Sequence, residues 1–140
     1  MKISRKERGF TLIELLIVMV ILGLLAALVG PRMFGKVGSS RQKAAKAQIS
    51  LLETSLDTYR LDVGKYPTME QGLGALRVKP DGVEKWDGPY LPKNVPPDPW
   101  GNPYVYECPG KHGDYDIISL GADGRPGGEG EDRDIESWTN

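Results

Sequence analysis

Two groups of residues in the sequence could do chemistry, and they lie near opposite ends of the chain. One is a single carboxylate, Glu14, within a largely apolar run from Phe10 to Val29. The other is a glycine-rich stretch from Leu120 to Glu136, called the acidic loop below. Its carboxylates belong to Asp123, Glu129, Glu131, Asp132, Asp134 and Glu136. The first pattern indicates charge pairing in an apolar environment, and the second indicates a site for a cation.

The cost of burying Glu14 follows from the length of its helix. At about 1.5 Å per residue, Phe10 to Val29 makes a helix roughly 30 Å long, which matches the hydrocarbon core of a membrane. One alternative is that Glu14 lies at the membrane surface or is protonated, and has no role beyond about 0.3–1 kcal/mol from the helix N-terminus. The other is that it pairs with a cation. Two charges 4 Å apart attract by about 4 kcal/mol at an effective dielectric of 20, which can offset the burial.

The acidic loop has the composition of a calcium site without the spacing of a known motif. Its carboxylates repel one another unless water or a cation lies between them, and its glycines allow a tight fold that exposes carbonyl oxygens. Ca²⁺ takes six to eight such oxygens. The stretch lacks the EF-hand pattern, and no His or Cys is nearby to favour zinc. On charge alone, a solvated and mobile loop is the alternative.

The other reactive side chains do not form a catalytic pattern. His112 lies in a predicted hairpin turn with no triad partners nearby, and we interpret it as a solvated turn residue. Cys108 is the only cysteine, which excludes an internal disulfide, and we interpret it as a packing residue at a strand end. The glycine-rich stretches lack the Gly-Lys-Ser/Thr of a phosphate loop. We therefore predict that the protein is not an enzyme. A membrane-tethered periplasmic enzyme or binding module is the alternative from another class, with only the acidic loop as its site.

The charge distribution predicts an orientation in the membrane. Residues 1–9 carry four basic side chains and one acidic one, a net charge of +3, so the remaining residues sum to −4 within the total of −1. The basic end is short and adjoins the predicted membrane helix, which argues against a nucleic-acid partner. The positive-inside rule places residues 1–9 in the cytoplasm and the C-terminal region across the membrane.

The apolar pattern after Val29 predicts that the helix continues. Residues 30–64 carry a single apolar stripe with steps of four and three residues, which is the spacing of an amphipathic helix. The stripe consists of Ala45, Ile49, Leu52, Leu56, Tyr59 and Val63. Gly64 is predicted to end the helix as a C-cap glycine.

Residues 65–140 are predicted to form a small globular region. Thr68 to Gln71 has the pattern of a capping box, which predicts a short helix to about Leu76. Residues 80–103 are dense in Pro and Gly, and their Trp and Tyr residues predict an ordered loop packed on the domain. Residues 104–106 and 115–120 are predicted to be strands of a β-hairpin.

The sequence GFTLIE at residues 9–14, after a short basic leader, resembles the processing site of type IV pilins and of the pseudopilins of type II secretion. The resemblance implies that a prepilin peptidase removes residues 1–9 by cutting between Gly9 and Phe10, and then N-methylates Phe10. It also implies that Glu14 pairs with the Phe10 amine of a neighbouring subunit during assembly.

Four further segments resemble the major pseudopilin family of type II secretion systems, the general secretion pathway protein G family. They are EQGLGAL at 70–76, WDGPYL at 86–91, DPWGNPYVY at 98–106 and DIISLGADGRPGGEGEDRDI at 116–135. The implied fold is α+β and type IV pilin-like: a long N-terminal helix packed on a small domain with a short antiparallel sheet and a calcium-binding loop. The implied function is the major structural subunit of the periplasmic pseudopilus, which supports export of folded proteins across the outer membrane. A type IV pilin for adhesion or motility is the alternative, disfavoured because a cysteine pair is missing.

The same resemblance implies a ligand set, partners and a location. One Ca²⁺ is expected in the acidic loop, held by the side chains of Asp123, Asp132 and Asp134 and the backbone carbonyls of Leu120 and Arg125. Glu131 is a weaker candidate. The expected partners are further copies of the chain, minor pseudopilins, the inner-membrane assembly platform and the prepilin peptidase. The expected location is the bacterial inner membrane, crossed once, and then the periplasmic pseudopilus.

Overall fold

The computed structural model of the protein describes residues 8–139, so most of the predicted leader lies outside the described residues. The chain divides into two compact units, residues 1–37 and 38–140, which are described separately. The described elements are one long helix, α1 (Leu12–Val63), and three short strands, β1 (Val105–Glu107), β2 (Asp116–Ser119) and β3 (Ile135–Glu136). Two short 3-10 helices span Leu73–Leu76 and Gly130–Asp132.

The first unit contains the start of α1, which is apolar on all sides. Its large hydrophobic side chains from Leu12 to Val29 are all about half exposed or more, ranging from 49% at Val29 to 87% at Leu12. α1 is the one helix in the described part of the chain that is long and apolar enough to cross a membrane. An exposed apolar surface of this size is typical of a helix covered by lipid or by other protein chains.

In the second unit, the amphipathic part of α1 supplies one side of the hydrophobic core. Ala45, Ile49, Leu52, Leu56 and Tyr59 are at most 1% exposed, which confirms the predicted stripe. Gly64 follows the last helical residue with a φ of 92°, and its N–H donates to the carbonyl of Arg60 at 2.7 Å. Glycine adopts this left-handed conformation without strain, so it ends the helix as predicted.

The three strands form an antiparallel sheet in the order β1-β2-β3. Tyr106 lies opposite Ile117 in the β1–β2 hairpin, and both pack with Leu56 and Tyr59 of α1 in one core cluster. The hairpin was predicted, but β3 was not. A strand of two residues has no alternating pattern to read, and β3 forms only because β2 provides an edge for it to pair with.

The segment after Gly64 contains the predicted short helix, but the helix starts later than expected. The capping box is present: the Thr68 N–H donates to Gln71 Oε1 at 3.0 Å, and the Gln71 N–H donates to Thr68 Oγ1 at 3.2 Å. The helix itself is a 3-10 helix, Leu73–Leu76, which ends where predicted. Gly72 has a φ of 64°, so its left-handed backbone interrupts the helical path after the cap.

The proline-rich segment is packed on the second unit, as its aromatic residues predicted. Trp86 Nε1 donates to the carbonyl of Ala75 at 2.7 Å, and Tyr90 Oη donates to Asp62 Oδ2 on α1 at 2.8 Å. The Trp86 and Tyr90 rings meet edge to face with centroids 5.6 Å apart. These contacts tie residues 86–90 to the helix side of the core.

Candidate functional site

The predicted cleavage bond lies in an exposed segment just before α1. Gly9 and Phe10 precede the first helical residue, Leu12, and the Phe10 side chain is 83% exposed. A Cβ built on Gly9 would have no neighbour within 4 Å. The fold therefore does not require glycine at this position, and any requirement for it must come from a partner that acts on the segment.

Glu14 takes part in a reciprocal cap at the start of α1. Its N–H donates to Thr11 Oγ1 at 3.2 Å, and the Thr11 N–H donates to Glu14 Oε2 at 3.4 Å. Residues 11–14 read T-x-x-E, which is the capping-box pattern, so the sequence held this signal and our prediction missed it. The cap holds the Glu14 carboxylate at the N–H of Thr11, the residue that follows Phe10.

The acidic loop is ordered by hydrogen bonds between its own residues. The Ala122 N–H donates to the carbonyl of Glu131 at 2.9 Å, and the Gly127 N–H donates to Asp134 Oδ2 at 2.9 Å. The Arg125 N–H donates to Asp123 Oδ1 at 3.0 Å. The first two bonds join the two limbs of the loop, residues 120–128 and residues 129–136, at two levels.

Two glycines allow the limbs to approach closely. A Cβ on Gly121 would lie 2.8 Å from the carbonyl oxygen of Arg133, and a Cβ on Gly128 would lie 2.7 Å from that of Asp132. Both glycines also have φ values in the left-handed region, 72° and 105°. A larger residue at either position would force the limbs apart.

Asp134 is the carboxylate of the loop that most needs a further partner. Its Oδ1 atom is buried and has no hydrogen bond within the described residues, whereas Asp123 and Asp132 are exposed. A buried polar atom left unpaired costs about 1–3 kcal/mol, and more when the group is charged. A cation at this oxygen would compensate that cost.

The predicted ligands are only partly brought together. Across residues 8–139, no group of three or more Asp, Glu, His or Cys side chains is close enough to hold a metal ion. Glu131 lies against α1, because a Cβ on Gly38 would be 2.6 Å from its Oε1 atom. This placement argues against Glu131 as a ligand. The oxygen-only donor set suits calcium, and Asp134 is the predicted ligand with a buried, unpaired oxygen, whereas Asp123 and Asp132 lie at the surface.

A second buried carboxylate, Asp98, connects the proline-rich segment to the acidic loop. Its Oδ2 accepts from Ser119 Oγ at 2.8 Å, and its Oδ1 accepts from the N–H groups of Trp100 at 3.1 Å and Asn102 at 2.8 Å. The Asn102 side chain donates to the carbonyl of Gly121 at 3.3 Å. Residues 98–102 thus form a turn that fixes the entry to the loop. The prolines and glycines of the sequence indicate a turn here, but its partners 19 and 21 residues away could not be read from it.

His112 is exposed in the turn between β1 and β2, as predicted, and it makes two contacts that the sequence did not indicate. Its Nδ1 atom lies 3.1 Å from Oδ2 of the buried Asp116, and its ring stacks on Trp138 with centroids 3.8 Å apart. Trp138 reaches this position because β3 brings the chain end beside β2, a non-local effect. Neither contact supplies a nucleophile. Cys108 follows β1, is half-buried and packs against the core, as predicted.

Two family models match the sequence. Residues 32–138 match type II secretion system protein G, and residues 4–30 match the prokaryotic N-terminal methylation motif. The first match covers the second unit, and the second covers Gly9, Phe10 and Glu14.

Individual relatives are similar over nearly their whole length. The type II secretion system core protein G of Pseudomonas aeruginosa is 46% identical over 139 residues, which cover 97% of this chain and 98% of the relative. The protein of the same name from Vibrio cholerae is 48% identical over 141 residues, 99% of this chain and 96% of the relative.

A solved structure has the same fold. The major pseudopilin from the type 2 secretion system of enterohaemorrhagic Escherichia coli matches with a TM-score of 0.66 at 38% identity, covering 77% of this chain and 95% of that chain. With the long helix and the antiparallel sheet described above, this match confirms the predicted pilin-like α+β fold.

Proposed function

The chain belongs to the protein G family of the type II secretion system, and on that premise we propose that it is the major structural subunit of the system's pseudopilus. In this role it acts by polymerising and not by catalysis. The observation that carries the proposal is the start of α1, where a capped carboxylate and an exposed peptide bond adjoin a fully apolar helix surface.

We propose that this helix has two successive environments. Before assembly, lipid covers its apolar surface and the chain is anchored in the inner membrane, with residues 1–9 in the cytoplasm and residues 38–140 in the periplasm. After assembly, the helices of neighbouring copies cover one another. Both environments remove the same apolar side chains from water, so transfer between them does not expose the helix.

The cap at Glu14 supports a specific contact between copies. Cleavage between Gly9 and Phe10 would create a free ammonium group at Phe10, next to the segment that the cap fixes. The capped carboxylate of one copy is then held ready for the Phe10 ammonium of the next. Pairing offsets the free-energy cost of burying both charges and sets the axial register of the two helices.

Calcium is proposed as a structural ion of the acidic loop. The side chains of Asp134, Asp123 and Asp132 and the carbonyls of Leu120 and Arg125 would hold it, and the buried unpaired Oδ1 of Asp134 is the observation that supports it. A bound ion would neutralise the carboxylates and hold the two limbs together. The further partners proposed are minor pseudopilins, the inner-membrane assembly platform and the prepilin peptidase.

The assembly role is tested by deleting the gene and assaying two activities. We expect that the deletion strain retains folded exoproteins in the periplasm, that twitching motility is unchanged, and that the intact gene restores release. Loss of twitching with normal exoprotein release would instead support a type IV pilin. Normal release and normal twitching would refute both assembly roles.

Processing can be tested at Gly9. Gly9→Ala should block removal of the leader, so the chain should migrate as the uncleaved form on a denaturing gel. Because a Cβ at Gly9 meets nothing in the fold, the effect can be assigned to the peptidase and not to misfolding.

Gly23→Ala is the matched control for this experiment. A Cβ on Gly23 likewise has no neighbour within 4 Å, so this variant should be cleaved normally. Equal cleavage of Gly9→Ala and the native chain would contradict the assignment of the cleavage site.

A further inference from the structure

Three residues of α1, spaced four apart, contact the last ten residues of the described chain. They are Gly38, Gln42 and Lys46, called the docking strip below. Residues four apart lie on the same face of a helix, so the strip is one continuous surface. It meets the second limb of the acidic loop and the chain end.

Gln42 and Lys46 bind backbone carbonyls of the docked segment. Gln42 Nε2 donates to the carbonyl of Gly130 at 2.5 Å. Lys46 Nζ donates to the carbonyl of Glu136 at 2.6 Å and also to that of Thr139. An ammonium group has three donors and no acceptor, so one lysine can gather several carbonyls of a chain end.

Gly38 contributes by having no side chain. It is buried, and a Cβ there would lie 2.6 Å from Oε1 and 2.7 Å from Cγ of Glu131. Alanine forms helix better than glycine, so helix propensity does not explain glycine at this position. The missing side chain leaves room for Glu131 to lie flat on the helix.

The docked residues alternate with proposed calcium ligands. Gly130 and Glu131 directly precede Asp132, and Glu136 follows Asp134 by two residues. Fixing the docked residues on α1 therefore fixes the backbone from which the side chains of Asp132 and Asp134 project. The other limb is held separately, through Asn102 and the carbonyl of Gly121.

We propose that the docking strip positions the acidic loop for calcium, so that calcium binding and ordering of residues 38–46 of α1 are linked. The proposal rests on the calcium site proposed above. Since linkage is reciprocal, docking raises the affinity for calcium, and calcium binding protects the amides of this part of α1 from hydrogen exchange. Lys46 and Gly38 are positioning residues: neither contacts the ion.

The test uses the full chain in detergent micelles, with calcium titrated by calorimetry. Lys46→Met keeps most of the side-chain stem and removes the ammonium group, and Gly38→Ala displaces Glu131. We expect each to weaken calcium binding about tenfold or more, the usual effect of losing a residue that orients a ligand. Lys43→Met is the matched control: Lys43 is exposed, lines one cleft together with Lys46 and, among residues 8–139, makes no hydrogen bond to the docked segment, so this variant should bind calcium like the native chain.

Hydrogen exchange gives a readout that is independent of affinity. In the native chain and in Lys43→Met, calcium should slow exchange of the amides of residues 38–46 and 130–139, and in Lys46→Met this added protection should be lost. Native calcium affinity and native protection in Lys46→Met and Gly38→Ala would overturn the docking role. Failure of the native chain to bind calcium would instead refute the metal site and the linkage with it. Exchange in metal-free Lys46→Met, compared with Lys43→Met, then measures docking alone, so the two failures are distinguishable.

Discussion

Glu14→Gln should abolish filament formation while leaving the start of α1 intact. Glutamine keeps an oxygen that can accept from the Thr11 N–H, and it is as suitable as glutamate at this position of a capping box. It removes the charge, so the Phe10 ammonium of the next copy is buried without a partner. Removing one partner of a buried pair costs about 3–5 kcal/mol. At about 1.4 kcal/mol per factor of ten, each added subunit would bind more than about 100-fold more weakly.

The measurement is electron microscopy of filaments, together with a gel that reports leader removal. Glu14→Gln and Glu14→Ala should both be cleaved and should both fail to form filaments. Thr11→Ala provides the contrast, because it removes the hydroxyl half of the cap and leaves the charge. This variant should lose about 1 kcal/mol of helix stability, which should reduce assembly without abolishing it. Normal filaments from Glu14→Gln would mean that Glu14 serves as a helix cap and not as a charge partner.

Calcium should raise the melting temperature of the second unit substantially, and Asp134→Asn should remove most of the increase. A ligand that binds only the folded state stabilises it by about 2.7 kcal/mol at 100 times its dissociation constant. For a unit of about 100 residues, each kcal/mol shifts the midpoint by about 4–8 °C, so the expected increase is on the order of 10–20 °C. Tryptophan fluorescence suits the measurement, because Trp86, Trp100 and Trp138 all lie in the second unit.

Glu129→Gln is the matched control for Asp134→Asn. Glu129 is an exposed acid of the same loop and is outside the proposed ligand set, so its variant should keep the calcium-dependent increase. Magnesium should have a much smaller effect, because it requires a tighter octahedral site than a flexible loop provides. Equal melting temperatures of the native chain in calcium and in chelator would refute the proposed calcium site.

The sequence predicted those elements whose signals are local. Three of these signals are the apolar run from Phe10, the stripe from Ala45 to Tyr59 and the glycine after the helix. Each is recognised from residues only a few positions apart. The β1–β2 hairpin was likewise marked by strand-forming residues on either side of a glycine turn. The Thr11–Glu14 cap is also a local signal, a T-x-x-E spacing that our prediction did not include.

The features that the sequence did not predict depend on contacts between distant residues. The His112 ring is stacked only because Trp138, 26 residues away, lies against it. Burial of the Oδ1 atom of Asp134 accompanies the close approach of two limbs at Gly121 and Gly128. The docking strip joins residues 88 positions apart, such as Gln42 and Gly130. No periodicity within one segment can report such pairings.

The bonds from Lys46 to the carbonyls of Glu136 and Thr139 also set the order in which the protein can mature. They span 90 and 93 positions, so Lys46 is synthesised well before the two residues it binds. Contacts of such wide separation carry a high loop-closure cost and slow folding. A chain that stops short of residue 136 lacks both β3 and this clamp, and its helix face stays uncovered. Truncated chains of this kind should therefore be cleaved by proteases more readily than a chain that forms these bonds.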